Sequence, residues 1–249
     1  MKTDLMDTKS AARTIDIFEA FAAAKRPLTL TELAKELDSP ISSCFQLVKT
    51  LERRGYVFSL GPRKGMYPTK RMLHAFESIS RHDPLKLIFQ SVLSELQSIT
   101  QETAVLGQQV DERVIILDAQ ESPQRVRYSP QIGEFHELYS TAIGKAILGS
   151  MTKKDRDRLL GKARLERLTD TTLIDRDALE EELTRSKSRG WYVARGENIP
   201  DLCAVAVPVH VNGQVFAVGL GGPFQRFITE IDRHAKVLMA AVSRLEGLD

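Results

Sequence analysis

Cysteine is nearly missing from this 249-residue chain, which holds only Cys44 and Cys203. Two thiols that fall in different predicted domains give no intrachain disulfide and no cysteine-rich metal centre. His136, Cys203 and His210 would be the candidate ligands, but no pair has a C-x-x-C or H-x-x-x-H spacing, so no metal and no cofactor is expected. No apolar run approaches the roughly 20 residues that span a bilayer. The opening MKTDLMDTKS has no apolar signal-peptide core, so a soluble, cytoplasmic protein with no membrane partner is expected. Catalytic signatures are missing too. Gly144-Lys145 lacks the upstream glycine and the following Ser or Thr of a phosphate-binding loop, and H-E-x-x-H and G-x-S-x-G do not occur. Ser, His and acidic residues are scattered without informative spacing, so no residue is assigned a catalytic role and an enzyme is not expected. There is no internal repeat and no low-complexity tract.

What is present is a 42% hydrophobic content, enough for real cores, and a length that suits two domains better than one. The net charge of +2 conceals an asymmetry: residues 1–75 carry 13 Lys or Arg against 8 Asp or Glu, and the rest carry 22 against 25. The N-terminal part is the one suited to a polyanion, although so modest a bias also describes a solvated surface.

Residues 27–67 hold the most specific pattern. Thr29 and Glu32 form a T-x-x-E capping box, after which Leu30, Leu33, Ala34 and Leu37 recur at helical spacing. Ser39 is the expected cap of a second helix with Pro40 in its first turn, and Cys44, Leu47, Val48 and Leu51 form its buried stripe. The opposite face presents Ser42, Ser43, Phe45, Gln46, Lys49 and Arg53. These are short polar groups near the N-terminus and cations further along, the two kinds of group that base edges and phosphates need. Tyr56-Val57-Phe58 and Met66-Tyr67-Pro68 then flank Gly61-Pro62-Arg63-Lys64-Gly65, a hairpin with two cations at its tip. With residues 10–24 as the first helix, the segment reads as a winged helix-turn-helix that places a helix in double-stranded DNA. The candidate contacts are Thr29, Ser42, Ser43, Phe45 and Gln46, with Lys49, Arg53, Arg63 and Lys64 meeting phosphates. The competing reading is a small helical domain for protein contacts whose cations are simply solvated.

Residues 70–81 are expected to be helical and lead to His82-Asp83-Pro84, where a break falls. Beyond it, helices are expected at 85–101, 140–151, 175–189 and 229–245, and strands at 103–110, 114–119, 125–129, 205–211 and 214–220. Asn212-Gly213 is the strongest hairpin signal in the chain. Hairpins mixed with flanking helices predict an α+β domain, an antiparallel sheet covered by helices. The expected organisation is therefore 1–69 winged helix-turn-helix, 70–83 linker helix, and 84–249 a second domain.

Three stretches bring the chain close to one family. The winged segment matches it in layout, LYSTAIGKAIL at 138–148 is similar to its stretch ending T-A-x-G-K-A, and RGWYVARGENIPDLCAVAVPVHVNGQVFAVGLGGP at 189–223 resembles its most characteristic C-terminal segment. On these residues the chain resembles the IclR family, the isocitrate lyase regulator type of bacterial transcription factor. The resemblance implies a GAF-like effector-binding and oligomerisation domain over 84–249, a homodimer or tetramer, and a palindromic or pseudo-palindromic operator. It also implies that a small metabolite modulates the hold on DNA, as in a repressor or activator of a catabolic operon. Where family recognition helices often carry a basic residue beside a His, this chain has Phe45-Gln46. Gln pairs bidentately with adenine and Phe touches the thymine methyl, so an A·T-leaning half-site is expected unless Gln46 meets only backbone.

By the same resemblance the effector pocket takes Arg125 and Tyr128 from one segment and Ala142, Ile143 and Gly144 from the start of the TAIGKA helix. Leu202 and Cys203 come from a third stretch, and Gly219 and Gly221 from the last strand. Helix-start N–H groups favour an anion, so a small organic acid is the expected effector. Lys145 either assists or lies on the surface. Arg125 and Arg127 share one face of their expected strand and either grip an acid or stay solvated. Members that bind very small oxo-acids use hydroxyls in the last strand and an acidic residue upstream of the cysteine, where this chain has Gly219, Gly221 and Ala194. A larger or more apolar acid, such as an aromatic one, is expected. Cys203 contacts ligand, senses oxidant or fills space. The alternative for the whole chain is a small-molecule sensor working through protein contacts, which would lack the salt-sensitive complex that phosphate contacts impose.

Overall fold

The computed structural model describes residues 8–61, 63–161 and 165–245. Two compact units part between Asp83 and Pro84.

The first unit runs through α1 (Lys9–Ala24), α2 (Leu30–Glu36), α3 (Ile41–Arg53), β1 (Val57–Ser59), β2 (Met66–Pro68) and α4 (Arg71–Arg81). Ile17 and Phe21 of α1, Leu33 and Ala34 of α2, and Cys44, Val48 and Leu51 of α3 meet in one core. Helices this short are marginal alone, and the shared apolar burial holds them. Thr29 caps α2 as expected: its hydroxyl accepts from the Glu32 N–H, and the Glu32 carboxylate accepts from the Thr29 N–H at 2.7 Å. Ser39 does not cap α3. Pro40, with ψ 136°, takes the half-in position, the helix starts at Ile41, and the Ser39 hydroxyl is buried without a partner among the described residues. Leu47, expected in the buried stripe, is only partly covered.

In the wing, β1 and β2 pair antiparallel and Leu28 bridges to Met66 as a third strand-like piece. Gly65, at φ 79°, passes so close to that bridge that an added Cβ would stand 2.7 Å from the Leu28 carbonyl oxygen. Pro62 of the expected tip lies outside the described residues.

The second unit adds α5 (Pro84–Thr100), β3 (Thr103–Val110), β4 (Arg113–Gln120), β5 (Phe135–Glu137), α6 (Ala142–Ser150), α7 (Lys153–Leu160) and α8 (Arg176–Arg189). It ends with β6 (Tyr192–Arg195), β7 (Leu202–Val211), β8 (Gln214–Pro223), α9 (Phe224–Thr229) and α10 (Ile231–Val242). The six strands pair antiparallel throughout in the order β5-β4-β3-β8-β7-β6. This is the α+β arrangement the sequence led us to expect. Asn212 and Gly213 both have positive φ, 49° and 72°, and turn β7 directly into β8.

One expected strand is wrong. Residues 125–129 form no strand, and the sheet is extended instead by β5, which the sequence reading did not contain. A side chain binds the backbone where a ladder would have been: Thr103 Oγ1 donates to the Tyr128 carbonyl at 2.5 Å. Glu121 holds Arg127 at 2.7 Å and Ser129 at 2.5 Å. Local side-chain bonds of this kind compete with regular structure. The short β6, α7 and α9 were also unanticipated.

Side chains alternate across a strand, so each face of the sheet builds its own core. One face sets Cys203, Val205, Val207 and Val209 of β7 and Phe216, Val218 and Leu220 of β8 against α5 and α10. The other sets Val105, Val114, Ile116, Ala206 and Ala217 against α6 and α8.

Candidate functional site

On α3 the side chains of Ser42, Phe45, Gln46, Lys49 and Arg53 are exposed and Ser43 is half-buried. Phe45 keeps 42% of its surface in water, an apolar ring displayed on an otherwise polar helix face. Lys49 is not a free cation: its Nζ meets Glu52 at 2.8 Å and stands 5.8 Å from the Phe45 ring. Arg53, Arg63 and Lys64 are exposed and make no ion pair among the described residues. Thr29 is committed to its cap, with its hydroxyl donating to Glu32 Oε2 at 2.8 Å, which leaves it little capacity for a second partner. Hydrogen bonds from the Thr29 backbone and hydroxyl, helped by Arg26 at 2.9 Å, hold the Glu32 carboxyl down at about 2.

The second unit contains a cavity between the sheet and the start of α6. Val105, Val114, Ile116, Leu202 and Ala204 make it largely apolar, and Tyr128 reaches over it from the irregular segment after β4. Its atom-free space is about 540 Å³, counted out to the open mouth. Of the expected lining residues, Tyr128, Ala142, Ile143, Leu202, Gly219 and Gly221 stand on this cavity, as does Ala194. An added Cβ on Gly221 would meet the Tyr128 ring at 3.2 Å, so the missing side chain gives the tyrosine its place.

Arg125, Gly144 and Cys203 do not line it. Arg125 is exposed in the segment that failed to become a strand, so it and Arg127 share no strand face. Gly144 is turned away from the cavity: its N–H donates to the Thr141 hydroxyl at 3.0 Å, and its Cα packs on the Leu138 backbone. The first-turn N–H groups left without an intrahelical acceptor belong to Ala142 and Ile143. Cys203 lies between Leu202 and Ala204, and strand alternation turns it into the opposite core. Burial pushes its thiol up to about 11, so of the three readings it is a neutral space-filler.

Lys145 is neither a cavity residue nor a surface one. It is fully buried, and its Nζ donates to the Val193 carbonyl at 3.0 Å and to Glu197 at 2.5 Å. Burial pulls its pKa down, opposed by the Glu197 charge. The other Glu197 oxygen accepts the Arg195 N–H at 3.2 Å, and Thr171 donates to the Arg195 carbonyl at 3.1 Å. The pair therefore ties α6 to the open edge of β6.

The sequence reading missed the polar wall of the cavity. His136 Nε2 lies 2.9 Å from Glu134, and its Nδ1 lies 3.3 Å from the Asn198 amide nitrogen. Ser140 donates to Asn198 Oδ1 at 3.2 Å. His136, Ser140 and Asn198 all face the cavity. His136 and Asn198 are 62 residues apart, and no spacing signal joins them. Burial, with a smaller push from Glu134, raises the Tyr128 phenol and keeps it neutral. Among the described residues no His, Cys, Asp and Glu cluster could hold a metal, and no helix is long and apolar enough to cross a membrane.

A winged helix-turn-helix in one chain with an α+β unit that encloses such a cavity defines a DNA-binding regulator with a small-molecule effector domain. Residues 77–246 match the family described as bacterial transcriptional regulator IclR C-terminal, and residues 10–59 match the IclR helix-turn-helix domain. The chain belongs to the IclR family and is a transcriptional regulator, not an enzyme. It is 31% identical over 216 residues to the HTH-type transcriptional regulator BhcR of Paracoccus denitrificans, covering 86% of this chain and 77% of that protein. Its fold is shared by an IclR transcriptional regulator from Alicyclobacillus acidocaldarius at TM-score 0.81 and 24% identity, covering 97% of this chain and 99% of that one. An IclR homolog from Microbacterium hydrocarbonoxydans, complexed with 4-hydroxybenzoate, has the same fold at TM-score 0.77 and 19% identity, covering 95% and 97%.

Proposed function

We propose that this regulator binds a two-fold symmetric operator in the cytoplasm as a homo-oligomer and releases or tightens its hold when a small organic acid with an apolar body enters the second unit. The ligand reading rests on one observation: Ala142 and Ile143, whose N–H groups open α6, line a cavity that is otherwise largely apolar, with His136, Ser140, Thr141, Glu197 and Asn198 as its other polar members. A helix start attracts a carboxylate, and apolar walls favour a hydrocarbon body over a tiny polar acid. The relative complexed with 4-hydroxybenzoate makes aromatic acids the first to try.

Ser42, Ser43, Phe45 and Gln46 read base edges, and Arg53, Arg63 and Lys64 meet phosphates. Lys49 contributes less because Glu52 already neutralises it. Residues 70–83 act as the linker helix and 84–249 as the effector-binding and oligomerisation domain. Leu73, Phe76 and Ile79 follow one another at three-residue spacing on α4 with 55–65% of their surfaces exposed, which favours a second copy covering them. Two-fold pairing is also what one small recognition helix needs to reach genomic specificity. Helix pairing altered by the acid then couples the two sites.

Anisotropy on DNA from around its own gene should give a specific complex whose affinity falls steeply with salt, and less steeply for Arg63→Gln. Gln46→Ala should change the preference at an A·T pair; an unchanged preference at every position removes that assignment. Isothermal titration with glyoxylate, pyruvate and aromatic acids tests the ligand, and tight glyoxylate binding would contradict the apolar-acid reading.

A further inference from the structure

The polar wall of the cavity has a fixed direction. In its neutral tautomer with the proton on Nε2, directed at Glu134 2.9 Å away, His136 presents Nδ1 as a lone-pair acceptor. The group 3.3 Å from Nδ1 must then be an N–H, so the Asn198 amide nitrogen faces His136. Its oxygen is left to accept from Ser140 at 3.2 Å. Both ends of the amide are therefore assigned, and one of its N–H groups has no partner among the described residues while Asn198 stands on the cavity wall. The neighbouring phenol of Tyr128 is also neutral and on the wall. A half-covered donor fixed in direction by two neighbours, in a largely apolar cavity, selects for an acceptor on whatever enters.

We propose that Asn198 is a specificity-determining residue that donates a hydrogen bond to a second oxygen of the acid effector, with Glu134, His136 and Ser140 positioning it. This rests on the reading of the cavity as an acid site. The ligand class narrows accordingly. The carboxylate lies at the start of α6, an apolar body spans the cavity, and a keto, hydroxyl or similar oxygen lies at the Asn198 wall. Unsubstituted acids of the same length leave the amide N–H unmatched and bind less well.

Matched pairs of probes read this directly: 4-oxopentanoate against pentanoate, and 4-hydroxybenzoate against benzoate, titrated into the full chain by calorimetry. For at least one pair the oxygenated member should bind about tenfold tighter, the scale of one buried hydrogen bond. Asn198→Leu should collapse that ratio towards one while the parent acid still binds. Glu134→Gln should reduce it part of the way by loosening the histidine. The ratio is insensitive to a general loss of folded protein, and the wild-type pairs alone keep the test decisive if a variant does not fold. Equal binding of both members of each pair would overturn the role of Asn198 and leave the acid site standing. If no acid of either kind binds, the acid reading falls and this inference falls with it.

Discussion

The two faces of the six-stranded sheet are made by the same strands, yet one is closed and the other holds a cavity. Along β7 and β8 the closed face receives Cys203, Val205, Val207, Phe216, Val218 and Leu220, all filling residues packed on α5 and α10. The cavity face receives Ala204, Ala206, Ala217, Gly219 and Gly221. Small residues alone would let a helix settle flat on the sheet. Here α6 does approach closely, with an added Cβ on Gly107 standing only 2.8 Å from Ile143, and Tyr128 and Asn198 line the space that is left. Room for a ligand therefore comes from side-chain size at alternate positions.

The sharpest break in this comparison is the ion pair behind the cavity. Lys145→Met leaves Glu197 buried without its cation and should cost about 3–5 kcal/mol in urea unfolding. Lys145→Met combined with Glu197→Leu should recover much of that; a double variant no better than the single one would show that the loss does not come from an orphaned buried charge. Next, Leu220→Ala on the closed face should cost about 2–5 kcal/mol. Leu202→Ala on the half-covered cavity wall should cost no more than about 1 kcal/mol. Equal losses would erase the distinction between the faces.

A smaller effect comes from the polar group held at the closed side. His234 of α10 is buried, its ring centre lies 4.5 Å from that of Phe227 at a tilt of 51°, and its Nδ1 has no hydrogen-bond partner among the described residues. Burial lowers its pKa, with Arg233 and Arg226 acting in the same sense and Glu102 and Glu230 opposing. The unfolded chain therefore binds the proton more readily. Stability should be complete above the ordinary histidine value near 6.5 and be lost as pH falls below it, by at most about 1.4 kcal/mol per pH unit. His234→Phe should flatten that part of a stability profile. The smallest effect lies outside the sheet: Thr29→Ala should cost about 1 kcal/mol through the lost cap of α2. The Glu32 carboxylate of that cap is held at about 2, so its share is intact above its ordinary range and disappears as pH falls towards 2.

Much of the winged unit was legible because its signals are local. A capping box spans four residues, a buried helical stripe two turns, and a glycine-bounded hairpin about ten, so Thr29, Val48 and the wing strands could be placed without knowing what lies opposite them. Ser39 misled because serine and proline both suit a helix start, and only the backbone shows which takes the cap. In the second unit the alternation of β7 and β8 was readable, but the face on which Cys203 falls was not, since alternation fixes the partition and not its direction. The strand expected at 125–129 failed for a related reason. Its alternating Arg-Val-Arg-Tyr pattern is real, but Thr103 and Glu121 claim its backbone and side chains first.

By itself the sequence determined the two-part plan, the class of each part, the exposed face of α3 and the family to which the chain belongs. These follow from periodicity, capping and turn chemistry, which act within a few residues. Only the tertiary structure decided that Lys145 is a buried brace, that Cys203 is sealed behind the sheet, and that His136, Ser140 and Asn198 form one oriented wall. Those depend on contacts 48 to 62 residues apart in the chain, and such contacts exist only once the sheet has brought its strands into register.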